Sequence, residues 1–117
     1  MVTVAVEGPT GVGKTTTGAA LESEIGWRFL RDPFEQNPFL VDYYSRSPST
    51  EWPPMLTDFT FMALRREQLR TAIGATQIIV TDYSFGRSLL FASFLRDSDD
   101  RWIVEAAHGR WARQAGL

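Results

Sequence analysis

Hydrophobic and polar positions change their period several times along the chain, and each change marks an element. Val2-Thr-Val-Ala-Val6 is a β-branched run that predicts a strand. Thr15 to Ile25 suits a helix, and Gly26 reads as its C-terminal stop. Trp27-Arg-Phe-Leu30 alternates apolar and polar and predicts a short second strand. Asp32-Pro33 ends it, because proline holds its predecessor extended and cannot continue a ladder. Asn37 to Tyr44 predicts a short helix with Asn37 as cap and Pro38 in first position. Ser45 to Pro54 holds three prolines and three serines and is the most loop-like stretch.

The longest periodic stretch is Met55 to Ile73. Met55, Phe59, Met62, Leu69 and Ile73 recur at about 3.6-residue spacing, and Phe61 and Leu64 form a second apolar flank. A helix apolar on two sides is expected to have two partners, such as a sheet and a neighbouring subunit. Arg65, Arg66 and Arg70 fall on its polar positions, and the first two read as a solvated face. Gly74 stops the helix. Gln77-Ile-Ile-Val-Thr81 is apolar through its centre, as a buried parallel strand is, and Asp82 stands at its C-terminal end. Phe85 to Leu95 is again helical, and Asp97-Ser-Asp-Asp100 is a polar break suited to cap a last helix from Arg101 to about Gln114. The order of elements predicts an α/β fold, a parallel sheet flanked by helices with right-handed crossovers.

Composition narrows this only modestly. A chain of 117 residues predicts one domain, with 44% hydrophobic and 22% charged residues in the ordinary globular range. A net charge of −2 offers no electrostatic case for nucleic acid or a membrane surface. No apolar run reaches the length of a membrane span, and the first residues read as a strand rather than a signal peptide. The absence of cysteine excludes disulfides and thiolate metal sites and fits a cytoplasmic protein.

The chemistry is concentrated in Gly8-Pro-Thr-Gly-Val-Gly-Lys-Thr15, which fits the phosphate-binding loop G-x-x-x-x-G-K-[ST] at every fixed position. Strand before and helix after supply the setting that this P-loop requires. Gly8, Thr10, Gly11, Val12, Gly13, Lys14, Thr15 and Thr16 are the expected phosphate-binding residues. Glycines let backbone N–H groups approach phosphate oxygens, and the helix start adds its positive dipole end. Lys14 supplies a cation for the β/γ-phosphates, and the Thr15 hydroxyl is a ligand for Mg2+. Lys14 is the one lysine among twelve basic residues.

In doubly wound sheets, ligands bind beyond the carboxyl ends of the strands. All three predicted strands end in polar candidates: the loop, Asp32 and Asp82. Those three are therefore expected on one edge of the sheet. Asp82 follows an apolar strand and is expected to hold Mg2+. Asp32 has two local readings, a turn-forming Asp-Pro or a general base for a substrate hydroxyl. Arg87 either stabilises a transferring phosphoryl or decorates a helix, and His108, far from the motifs, is assigned no role.

These residues resemble bacterial deoxynucleoside kinases of the deoxyadenosine/deoxyguanosine kinase type, from residue 2 to about residue 105. The resemblance rests on Val6-Glu-Gly-Pro-Thr-Gly-Val-Gly-Lys-Thr15, Asp32-Pro-Phe-Glu-Gln-Asn-Pro-Phe-Leu40, Arg65-Arg-Glu-Gln-Leu69 and Thr81-Asp-Tyr-Ser-Phe85 leading to Phe91-Ala92. It implies a P-loop NTPase-type fold and transfer of the γ-phosphoryl of ATP to the 5′-hydroxyl of a deoxynucleoside. It implies Asp32 as general base, in place of the family's usual Glu, with Lys14 and Asp82 as the other catalytic residues. Phe39, Tyr43, Asp58, Arg65 and Asp82 fall on substrate positions, Thr15 and Asp82 on metal positions, and a homodimer is implied. The family usually has a glutamine seven residues before Arg65, where this chain has Asp58. A carboxylate only accepts hydrogen bonds, which suits the N1–H and N2–H2 donors of guanine. Family members continue with two more core strands and an arginine-rich lid, so the sheet is expected to be incomplete at its C-terminal side, with the first strand at an edge. The alternatives are a non-catalytic nucleotide-binding remnant or another small P-loop kinase such as a thymidylate kinase, against which Asp82-Tyr83 speaks in place of Asp-Arg.

Overall fold

A computed structural model describes residues 2–9, 11–41, 53–72, 74 and 77–115. Thr10, Tyr43 and most of the proline-rich stretch lie outside the described residues. The chain divides into two compact units, Met1–Asp32 with Gln68–Ser84, and Pro33–Glu67 with Phe85–Leu117.

The first unit is a parallel sheet with helical cover. Its elements are β1 (Thr3–Ala5), α1 (Lys14–Ile25), β2 (Arg28–Leu30) and β3 (Ile79–Thr81). The strand order is β1-β3-β2, with Thr3 and Arg28 both opposite Ile79 and Ala5 and Leu30 both opposite Thr81. The uninterrupted apolar run takes the centre, where Ile79 and Val80 are fully buried. As expected, β1 is an edge of the sheet among the described residues. Each strand is shorter than its apolar pattern, although inter-strand bonds continue past β1 at both ends, from the Val6 N–H to the Thr81 carbonyl at 2.8 Å and from the Ile79 N–H to the Val2 carbonyl at 3.0 Å.

α1 lies close on β2. A Cβ at Gly18 would run into the ring of Phe29, so only glycine admits that approach. Glu22 accepts a hydrogen bond from the Phe29 N–H at 2.9 Å and satisfies a donor on an edge strand. Gly26 ends α1 at φ 83°, with its N–H returned to the Glu22 carbonyl at 3.2 Å.

The second unit is helical. A 3₁₀ turn at Phe34–Gln36, which the sequence pattern did not predict, precedes Asn37. The Asn37 side chain accepts from the Phe39 N–H at 3.1 Å, as the predicted cap, and the chain is helical at Leu40 and Val41. The long helix is α2 (Pro54–Thr71), whose last turn, from Gln68, belongs to the first unit. The remaining helices are α3 (Arg87–Ala92) and α4 (Ser98–Ala115), which pack on each other. Met62, Phe85, Ala92, Leu95 and Val104 are buried here.

Three expectations change. α3 is shorter than Phe85 to Leu95, because the chain closes into turns at both ends. α4 begins at Ser98, three residues early: Asp97 accepts from the N–H groups of Asp99 and Asp100 at 2.8 and 3.0 Å, so the polar break is itself the first turn. Arg65 and Arg66 are not a solvated face. Arg65 is 3% exposed, and Arg66 lies over the Trp111 ring, 4.9 Å from its centroid. Of the second apolar flank, Phe61 packs under the Arg65 guanidinium. His108, which carried no role, stacks on Phe85 at 4.8 Å with Nε2 3.2 Å from the Phe85 carbonyl oxygen. Burial lowers its proton affinity, against the opposing pull of the Phe85 carbonyl, which accepts from the ring N–H.

Candidate functional site

The polar strand ends of the first unit converge. Asp82, just past β3, is 8% exposed. One of its oxygens accepts from the Thr15 hydroxyl at 3.0 Å, and the other from the Asp32 backbone N–H at 2.7 Å. Three residues separated by up to 67 positions thus meet at one carboxylate, on the edge of the sheet that strand order predicts. The arrangement is local in origin: each strand ends where a small or charged residue breaks its apolar run, and parallel strands place all such ends on one side.

The loop between β1 and α1 wraps its own lysine. Lys14 Nζ donates to the carbonyls of Gly8 at 2.6 Å and Pro9 at 3.2 Å. Gly13, at φ 99°, is the cap residue just before α1, in a left-handed conformation that a side chain would oppose. Glycine there turns the chain into the helix, whose first N–H groups remain available to an anion.

Two supporting residues escaped the sequence reading. Glu7 accepts from the Ser84 N–H and ties the end of β1 to that of β3. Gln68 donates to the Arg31 carbonyl at 2.8 Å and accepts from the Tyr83 hydroxyl, holding the ends of β2 and β3 to the last turn of α2. Nothing in the local pattern separates Gln68 from an ordinary exposed helix position.

The second unit contains a separate polar cluster. The Asn37 side chain donates to the Thr57 carbonyl at 3.0 Å, and the Thr57 hydroxyl donates to the Phe39 carbonyl at 3.4 Å. The Phe39 backbone is thereby held to the first turn of α2. Asp58 is 6% exposed, and its Oδ2 has no hydrogen-bond partner among the described residues. Two turns along, Arg65 has its guanidinium 4.7 Å from the Phe61 centroid and reaches the Ser88 hydroxyl at 3.3 Å. Burial pushes the Asp58 carboxyl up from 3.8 to about 6, against the opposing pull of Arg65. Asp58, Arg65 and Phe39 therefore belong to one cluster, while Asp32, Lys14, Thr15 and Asp82 belong to the phosphate end of the first unit. Arg87 opens α3 half-buried.

The folded state holds the Asp58 proton more tightly than the unfolded chain, so the stabilisation is present at low pH and is lost as pH rises through about 6. Relative to Asp58→Asn, the wild type is expected to lose about 2–3 kcal/mol of stability between about pH 4 and pH 7. Urea denaturation of both proteins at the two pH values checks this. A constant difference would mean that Asp58 does not titrate in that window.

With this geometry in place, comparison with known proteins is decisive. Residues 4–104 match the family Deoxynucleoside kinase. The chain belongs to the deoxynucleoside kinase family. It is 31% identical over 93 residues to a deoxyguanosine kinase of Bacillus subtilis (strain 168), covering 76% of this chain and 44% of that protein. Among solved structures it resembles a deoxyadenosine kinase from M. mycoides with products dCMP and a flexible dCDP bound. That match has a TM-score of 0.70 at 22% identity, over 86% of this chain and 53% of the other. It shows the fold, a P-loop NTPase sheet flanked by helices. The chain spans about half the length of these relatives.

Proposed function

We propose that the protein is a deoxynucleoside kinase, transferring the γ-phosphoryl of ATP to the 5′-hydroxyl of a deoxynucleoside, and that it works in the cytoplasm. The observation that carries this reading is the meeting of Thr15, Asp32 and Asp82 beside the phosphate loop. Family membership supports a small nucleoside as acceptor.

In this reading Gly8 to Thr16 cradle the triphosphate, and Lys14 leaves its carbonyl contacts to meet phosphate oxygens. Thr15 and Asp82 are hard oxygen donors already in contact, a set suited to Mg2+. Mg2+, when bound, offsets phosphate charge. Asp32 accepts the proton of the attacking hydroxyl. Phe39, Asp58 and Arg65 hold the base. Ionised Asp58 offers two acceptors, which matches guanine and supports deoxyguanosine as the preferred acceptor. The proposed partner is a second copy of the chain, and the exposed Leu90, Phe94 and Trp102 supply apolar surface for it.

The test is a turnover assay over the four deoxynucleosides with ATP and Mg2+. Deoxyguanosine is expected to be phosphorylated fastest near neutral pH. Stabilisation by ATP without any monophosphate product would instead favour a nucleotide-binding protein that does not catalyse.

A further inference from the structure

Asp58 Oδ2 is an unusual atom. It is buried, carries no hydrogen bond among the described residues, and lies in the cluster that the proposed function assigns to the base. An unsatisfied buried oxygen normally costs stability, so a ligand that satisfies it gains what the free protein lacks. What the atom can take depends on its proton. A carboxylate presents acceptors only, whereas the neutral acid presents an O–H donor beside a carbonyl acceptor.

We propose that the proton on Asp58 selects the acceptor base: the carboxylate takes an edge with two adjacent donors, as in guanine, and the neutral acid takes an edge with a donor beside an acceptor, as in adenine. This rests on the nucleoside-acceptor reading above. Arg65 is the charged group that acts on Asp58, from two turns along the same helix. The 37–39 turn brings Asn37 and Phe39 to this end of α2, and α3 brings Ser88 to Arg65; none of these titrates. Arg65 is fixed over Phe61 and against Ser88, so its planar guanidinium offers the same donors in both states of Asp58. Only Asp58 changes what it presents. Its titration near 6 places the exchange within the range that cells reach.

Selection by a proton has a reciprocal consequence: deoxyguanosine should lower the proton affinity of Asp58 and deoxyadenosine should raise it. The experiment is calorimetric binding of each nucleoside to the intact chain at about pH 5 and about pH 8. A group titrating near 6 is roughly one-hundredth protonated two pH units higher. Deoxyadenosine is therefore expected to bind up to about a hundredfold more tightly at the lower pH, and deoxyguanosine about tenfold more weakly. Asp58→Asn, which carries a donor and an acceptor permanently, is expected to favour deoxyadenosine at both pH values with a flat ratio. If both nucleosides bind the wild type with a pH-independent ratio, the selection idea is overturned and the acceptor reading stands. A pH-dependent ratio that survives in Asp58→Asn overturns it equally. Binding of neither nucleoside at either pH removes the acceptor reading itself, and this inference with it.

Discussion

Asp82→Asn is expected to lower phosphoryl transfer by about a hundred- to a thousandfold while leaving the fold intact. The contacts of Asp82 with Asp32 and Thr15 explain why these effects separate. The asparagine carbonyl can still accept from the Asp32 N–H, a fixed backbone donor. Its amide can donate to Thr15, whose hydroxyl rotates to accept instead. Geometry survives, and one negative charge disappears. If Asp82 and Thr15 hold Mg2+, the charge is what matters, and the loss should be partly recovered by raising Mg2+. Steady-state assays over a Mg2+ series, beside thermal denaturation, check both halves. Wild-type turnover at all Mg2+ concentrations would remove Asp82 from the metal site.

Arg65→Met is expected to cost about 3–5 kcal/mol, because it leaves a buried carboxylate without its compensating charge. Methionine keeps much of the volume over Phe61, so lost packing is the smaller part. The loss should depend on pH with a definite sign. Without Arg65 the Asp58 carboxyl moves further up from about 6, so the variant suffers most above neutrality and least in acid, where Asp58 is neutral. Adding Asp58→Asn should recover a large part of the loss, since the stranded charge is gone. Chemical denaturation of the single and double variants measures the coupling. Additive effects would show that Arg65 and Asp58 do not interact.

The phosphate end of the fold was legible because its signals are local. A fixed motif marks the loop, and a charged residue after an apolar run marks each strand end, so Asp32 and Asp82 could be placed from strand order alone. Arg65 was not legible from the helix pattern. Periodicity assigns an arginine to water, whereas partners such as Phe61 on the same helix and Ser88 on α3 make its burial tolerable. The resemblance singled out Arg65 where the physical pattern did not. Element ends failed for a similar reason. The capping expected of residues 97–100 is made by Asp97, but the residues after it, placed ahead of the helix, are its first turn. Asn37 was read correctly as a cap, but its second bond, to Thr57, connects residues 20 positions apart and leaves no local trace.

That second bond has a consequence for binding. Asn37, Thr57 and Phe39 form a closed ring of contacts: side chain to carbonyl, hydroxyl to carbonyl, and N–H back to side chain. The Phe39 backbone is therefore tied to the first turn of α2 by the protein's own bonds, without help from a ligand. In the proposed function, a nucleoside at this surface finds that piece of backbone already tied, so little of its binding energy is spent on ordering it.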